Sequence, residues 1–181
     1  LIGLTNKTQE ILPGYYWLNG QQSAYYLISE SIERRLDYKS AVNKCNELLH
    51  LSVKRQVNTD LPVGVVFSGG LDSAIILYLA NLYHNNVTAY TVGVAGSSDL
   101  VFAQRLCGEL GIKMVVSDVD RVDLMQSIRT SIYASEQFEP VDITDALTIN
   151  SAFSRMKADG IRIALSGDGS DELFAGYDFF Q

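Results

Sequence analysis

The chain has 181 residues, 47% of them hydrophobic and 19% charged, a balance that lets one soluble domain bury a sizeable core. Its formal charge of -7, from 14 Lys and Arg against 21 Asp and Glu, comes with no basic cluster and argues against a nucleic-acid partner. No apolar run approaches the ~20 residues of a membrane span, and Cys45 and Cys107 have no metal-binding or disulfide-framework spacing, so a soluble protein of the reducing cytoplasm is expected.

Residues 1–28 alternate aromatic or aliphatic runs with turn signals at Pro13-Gly14 and Asn19-Gly20, which predicts hairpin-like β structure. From Ser29 to Val57, Tyr38, Ala41, Val42, Cys45, Leu48, Leu49 and Val53 recur at helical spacing among charges, predicting an amphipathic helix with Cys45 on its apolar face. "VGVVF" (63–67) is short, apolar and rich in β-branched residues, as a buried strand should be, and "DSAIILYLANLY" (72–83) is apolar on most faces, as a buried helix should be. A second strand is predicted over 87–94. Ser97 or Ser98 then caps a helix that carries Leu100, Ala103, Cys107 and Leu110 on one face and stops at Gly111. "KMVVSDV" makes a third strand, Arg121 to Ser135 a helix, and "TDALTINSAFSRMKADG" another, with Thr144 or Asp145 as cap and Gly160 as stop. "IRIALS" closes the series as a strand. The two histidines, His50 and His84, show no partner or metal spacing, and His84-Asn85-Asn86 reads as a helix end. Glu136 and Glu139 read as solvated loop acids.

Strands alternating with helices through short loops define an α/β protein, a parallel sheet with helices on both faces. Ligands of such sheets bind outside the carboxyl ends of the strands. The loop "SGGLDS" (68–73) lies at such an end. Its glycines allow positive φ and close approach, the helix that follows offers unpaired N–H groups and a positive dipole end, and the Ser68 and Ser73 hydroxyls can donate to phosphate oxygens. Asp72 would repel an anion there unless it holds Mg2+, whose charge phosphates and carboxylate share. The loop is not a Walker loop, since no GxxxxGK[ST] is present. A second strand-to-helix turn, "ALSGDGSDELFAGYDFF" (164–180), repeats the design with Ser170 as the expected cap and with Asp168, Asp171 and Glu172 close together. For Glu172 a favourable place in the first helical turn explains as much as a role in a site.

"SGGLDS" resembles the pyrophosphate loop of the N-type ATP pyrophosphatases. "LPVGVVFSGGLDSA", "YTVGVAGSSDL" and "GIRIALSGDGSDELFAGY", in that order, resemble the synthetase domain of the glutamine-dependent asparagine synthetases over about residues 30–181. The resemblance implies an adenine-nucleotide α-hydrolase-like (ATP pyrophosphatase) fold for 29–181, incomplete at its C-terminal end, and the end of a glutaminase-like domain or a linker for 1–28. It implies ATP and Mg2+ as cofactors and a ligase that joins aspartate and ammonia into asparagine through an aspartyl-adenylate, releasing AMP and pyrophosphate. In the intact protein a glutaminase domain would supply the ammonia from glutamine, and a homodimer is among the expected assemblies.

Carried over residue by residue, the resemblance puts Ser68, Gly69, Gly70, Asp72 and Ser73 on pyrophosphate, Val66 and Val92 beside adenine, Ser166 and Gly167 in a second nucleotide-contacting loop, and Asp72 and Asp171 on Mg2+. Asp168 takes the place of the acid that helps deprotonate the incoming ammonia nitrogen. Related β-lactam-forming enzymes carry tyrosine there. The chain starts at Leu1 and has neither a glutaminase half with its N-terminal nucleophilic cysteine nor the lysine and amino-acid-binding residues expected beyond the second loop. It is therefore expected to be a piece of a longer protein and nearly inactive alone. Two rivals to the asparagine synthetase reading are a related enzyme adenylating another carboxylate, on a peptide or antibiotic precursor, and a non-catalytic ATP-binding module.

Overall fold

The computed structural model describes residues 10–27, 36–93, 96–117, 121–136 and 139–177. The chain divides into two compact units, 1–44 and 45–181. In the first, strands β1 (Tyr15–Leu18) and β2 (Gln21–Ala24) pair antiparallel with Leu18 opposite Gln21. Asn19 and Gly20 both take positive φ (52° and 80°), the condition for the primed turn that matches strand twist, and this bears out the hairpin over the described part of 1–28. Helix α1 (Tyr38–Gln56) opens on Asp37, which accepts from Ser40 N (3.0 Å) and Ser40 Oγ (2.6 Å). These bonds, the Ser40 hydroxyl first, hold the Asp37 carboxyl below its ordinary pKa. The start of the expected helix, residues 29–35, lies outside the described residues.

The second unit is built on four strands: β3 (Val63–Val66), β4 (Val87–Val92), β5 (Lys113–Ser117) and β6 (Ile163–Leu165). Every pairing is parallel and the order is β5-β4-β3-β6. Between β3 and β4 runs α2 (Leu71–Tyr83), and between β4 and β5 runs α3 (Ser98–Leu110). The return from β5 to β6 is made by α4 (Arg121–Ser135) and α5 (Pro140–Ala158), and α6 (Ser170–Phe174) follows β6. The chain thus winds outward from β3 and comes back to its other side. The switch point, where the connections diverge, lies between β3 and β6.

Alternation along the strands divides the core in two. Val63, Val65, Phe67, Val87 and Ala89 pack with Leu77 and Ala80 of α2 and Ala103 and Cys107 of α3, joined by Val53 and Val57 from the end of α1. On the other face Tyr90 packs with Ala152 and Met156 of α5, with Val66, Val92 and Val115 against them. Val63, Val65, Phe67 and Leu77 have no exposed surface, and full burial of each such side chain contributes about 1.5–3 kcal/mol. Burial on both faces explains why 63–67 reads as a continuous apolar run. Gly64 marks the closest approach of α5, because a Cβ there would meet the Met156 sulfur at 3.0 Å.

Most predicted bounds hold: α2, α4 and the Ser97-to-Gly111 frame of α3, in which Ser97 Oγ accepts from Leu100 N and Gly111 is left-handed at φ 65°. Two do not. Helix α5 starts at Pro140 with Glu139 at its cap, not at Thr144 or Asp145; proline at the first helical position was the overlooked signal. The histidines also have partners. His50 Nδ1 lies 2.7 Å from Tyr83 Oη, and His84 accepts from Asn86 N at Nδ1, which leaves Nε2–H to donate to the Thr59 carbonyl.

Candidate active site

Strand β3 runs into the first loop through Phe67, whose N–H donates to the Tyr90 carbonyl at 2.8 Å. Beyond it the loop folds on its own serines. The buried Ser73 Oγ donates to the Gly70 carbonyl (3.1 Å) and accepts from Ser68 N (3.3 Å). With its only proton used on Gly70, Ser73 must accept from Ser68 Oγ at 3.0 Å, and Ser68 Oγ in turn accepts from Gly70 N at 3.2 Å. Both hydroxyls therefore hold the loop in shape, and the N-terminal amides of α2 remain the natural anion donors. Positive φ is required at Gly69 (91°), where a Cβ would also lie 2.7 Å from the Asp99 carbonyl oxygen. Of the two glycines only Gly69 uses that freedom, since at φ -78°, ψ 166° the Gly70 backbone is extended.

The second loop leaves β6 at Ser166 and enters α6 through Gly169 at φ 90°. Gly169, not Ser170, is the cap residue. Ser170 Oγ instead donates to Asp72 Oδ1 at 2.8 Å, tying the second loop to the first. Gly167 adds contact: a Cβ there would lie 2.9 Å from Ser73 N and 3.1 Å from the Asp72 carbonyl carbon. After α6 the chain folds back, with Gly176 N donating to the Asp171 carbonyl and Tyr177 Oη donating to Glu172 at 2.5 Å. That bond pushes the Tyr177 phenol up to about 12 and holds Glu172 below the ordinary carboxylate range. Glu172 is thus engaged with a neighbour in its own segment.

Between the loops lies a cleft of about 540 Å³. The two loops form two of its walls, Val66 contributes an apolar side chain, and Asp145, Thr148 and Ile149 of α5 form a third wall. Of the predicted residues, the cleft gathers Val66, Ser68, Gly70, Asp72, Ser73, Ser166, Gly167, Asp168 and Asp171. Gly69 turns against Asp99, and Val92 packs in the cluster around Tyr90 and Met156, so neither lines it. Asp145, Thr148, Ile149, Gly169 and Tyr177 line it as well and are not among the predicted residues. Capping α5 at Thr144 or Asp145 instead of Glu139 made Asp145 a cap candidate, whereas Asp145, Thr148 and Ile149 stand at the i, i+3, i+4 spacing of one helical face. A larger cavity, about 710 Å³, lies at the opposite strand ends beside Asp60 and Asn86, remote from both loops.

Five carboxylates line the cleft, Asp72, Asp145, Asp168, Asp171 and Glu172, with no Lys, Arg or His among its lining residues. A polyphosphate would be repelled without a counter-cation. Among the described residues no three acidic, His or Cys side chains converge as a ready-made metal centre. The acidic lining fits Mg2+, a hard ion held by one or two carboxylates together with substrate phosphates. Asp72 and Asp171, one from each loop, have the oxygen donors it needs.

A parallel α/β sheet with two glycine loops meeting at its switch point defines the protein as a ligand-binding α/β domain of the doubly wound kind. The comparisons narrow this further. A family model described as asparagine synthase matches residues 44–181, and the chain belongs to that family. It is 32% identical over 153 residues to asparagine synthetase B [glutamine-hydrolyzing] of Escherichia coli strain K12, covering 77% of this chain and 28% of that protein. It is 31% identical over 140 residues to asparagine synthetase [glutamine-hydrolyzing] of Sandersonia aurantiaca, covering 72% and 27%. The chain thus spans about a quarter of the length of these relatives. Its fold is shared with NH3-dependent NAD synthetase from Campylobacter jejuni, at TM-score 0.53 and 20% identity over 75% of this chain and 60% of that one.

Proposed function

We propose that the chain is the ATP-binding core of an amide ligase that adenylates the side-chain carboxylate of aspartate and passes the acyl group to ammonia. The observation that carries this is the meeting of the two loops: Ser170 bonded to Asp72, and Gly167 against Ser73, around one acidic cleft. In this function the α2 amides and the Ser68–Ser73 loop cradle the pyrophosphate end of ATP, and Val66 gives a flat base an apolar surface. Asp72 and Asp171 would hold Mg2+, which supplies positive charge to the polyphosphate. Attack of the aspartate carboxylate on the α-phosphorus breaks the bond to pyrophosphate. Attack by ammonia then displaces AMP, and Asp168, at the cleft, takes a proton from the nitrogen.

Family membership supports the substrates, and the acid at position 168 supports ammonia as acceptor. Residues 1–28 are then the end of a glutaminase-like half or the connection from it, with glutamine as nitrogen source in the intact protein. Two free cysteines, Cys107 buried with its thiol pushed up by desolvation, suit a reducing compartment, and the cytoplasm is the proposed location. Among the described residues no helix is long and apolar enough to cross a membrane. A homodimer is the proposed assembly, to be checked by light scattering of the intact protein.

The test is release of pyrophosphate and AMP from ATP by the intact protein, with Mg2+, aspartate and ammonium. Stoichiometric pyrophosphate, AMP and asparagine are expected. Binding of ATP with no product from aspartate would overturn the substrate assignment.

A further inference from the structure

We propose that Ser170 is a positioning residue that fixes the Asp72 carboxylate for its cation, so that the second loop sets the metal affinity of the first; this rests on the proposed Mg2+-dependent binding of ATP. The sequence offers Ser170 as a helix cap, and the structure refuses it that role, because Gly169, which has no side chain to cap with, occupies that position. The hydroxyl turns to a partner 98 residues away, Asp72 Oδ1, at 2.8 Å. Ser170 lines, with Asp72, a neighbouring cavity of about 580 Å³ and not the acidic cleft, which Asp72 lines as well. The serine therefore holds the carboxylate from the side of that neighbouring cavity, and the acidic cleft lies on the carboxylate's other side. A half-buried hydroxyl that donates to one carboxylate oxygen restricts rotation of the group and leaves Oδ2 for another partner.

Gly167 makes the restraint effective. Its Cα packs so close to the Asp72–Ser73 backbone that a Cβ would fall 2.9 Å from Ser73 N, so the main chains of the two loops are in register where the hydroxyl reaches across. Carboxylate ligands are commonly oriented by such outer partners, whose loss typically lowers metal affinity about 10-fold to 100-fold. A serine that only supported the fold would affect stability and leave the metal requirement unchanged.

The experiment titrates Mg2+ against binding of a non-hydrolysable ATP analogue by the intact protein, in wild type, Ser170→Ala, Ser170→Thr, Asp72→Asn and the Asp72→Asn/Ser170→Ala double variant. Ser170→Ala is expected to raise the Mg2+ concentration for half-maximal binding about 10-fold, and Ser170→Thr, which keeps the hydroxyl, to restore it. The alanine effect should vanish in the Asp72→Asn background, since a coupled pair is non-additive. If Ser170→Ala does not fold, Ser170→Cys, close in size with a weak donor, reads the same comparison. An unchanged Mg2+ requirement in the alanine or cysteine variant, beside normal wild-type behaviour, overturns the role of Ser170 alone. A wild type with no Mg2+-dependent binding overturns the proposed function and the role of Ser170 with it.

Discussion

The two loops share a design and differ in what supports them. The first has behind it a strand buried on both faces and a 13-residue helix, and its serines bond to each other and to the loop backbone. The second follows a three-residue strand and enters a five-residue helix on which Leu173 and Phe174 are 80% and 65% exposed. Its shape comes from contacts with the first loop, Ser170 on Asp72 and Gly167 on Ser73, and from the Tyr177–Glu172 bond inside its own segment. One loop is therefore a property of the sheet, and the other is a property of the first loop. Acidic residues from the dependent loop line a cleft whose other wall is the first loop.

Glycine substitutions break this comparison most sharply. Gly69→Ala meets both a positive φ and the Asp99 carbonyl 2.7 Å away, and is expected to cost about 3 kcal/mol in urea denaturation. Gly167→Ala meets only crowding, against backbone that cannot yield, and should cost about 2 kcal/mol. Gly169→Ala has the φ of Gly69 (90° against 91°) with nothing within 4 Å, so about 1 kcal/mol is expected. Equal costs at Gly69 and Gly169 would mean that the two loops are equally packed.

A control outside both loops is Tyr90→Phe. Tyr90 is buried beneath α5 and its hydroxyl donates to Asp159 at 3.0 Å, so removal should cost about 1 kcal/mol while ATP binding is retained. Desolvation first, and then the Asp159 bond, raise this phenol from 10.0 to about 12. Its contribution is accordingly complete below pH 10 and lost as pH rises toward 12. Asp159, held below 3.8 chiefly by Arg155, contributes above that value and loses its part as pH falls through the lowered pKa. Stability measured against pH should then show a Tyr90-dependent fall on the alkaline side, and a smaller one at acid pH as Asp159, held down in part by the Tyr90 bond, is protonated.

The smallest effect is expected at the exposed Tyr177–Glu172 bond. Glu172→Gln should return the Tyr177 titration, read by ultraviolet absorbance, from about 12 toward 10.0, with little change in unfolding. A phenol still titrating near its wild-type value would show that the Glu172 bond does not set the environment of Tyr177.

What could be read from the sequence follows the same division. Helix α2, strand β3 and the loop between them are local: apolar period, glycines and following acid lie within one continuous stretch. So did the frame of α3, where Ser97 and Gly111 mark both ends. Bonds that span the chain left no local trace. Ser170 resembles a cap because hydroxyls commonly cap helices, and only the pairing of β6 beside β3 brings Asp72 within its reach. Asp145 was hidden for a different reason: with α5 begun at the wrong turn its facing could not be read, although Pro140 held the information. His84 lacked a visible partner because Thr59 supplies a backbone carbonyl, which carries no residue-type signature.

The central claim is that both loops serve one nucleotide, and amide hydrogen exchange of the intact protein with and without ATP and Mg2+ tests it most directly. Protection that appears together at residues 68–73 and 166–172, and only when Mg2+ is present, is the predicted result. Protection confined to the first loop, or appearing equally without the cation, would contradict it.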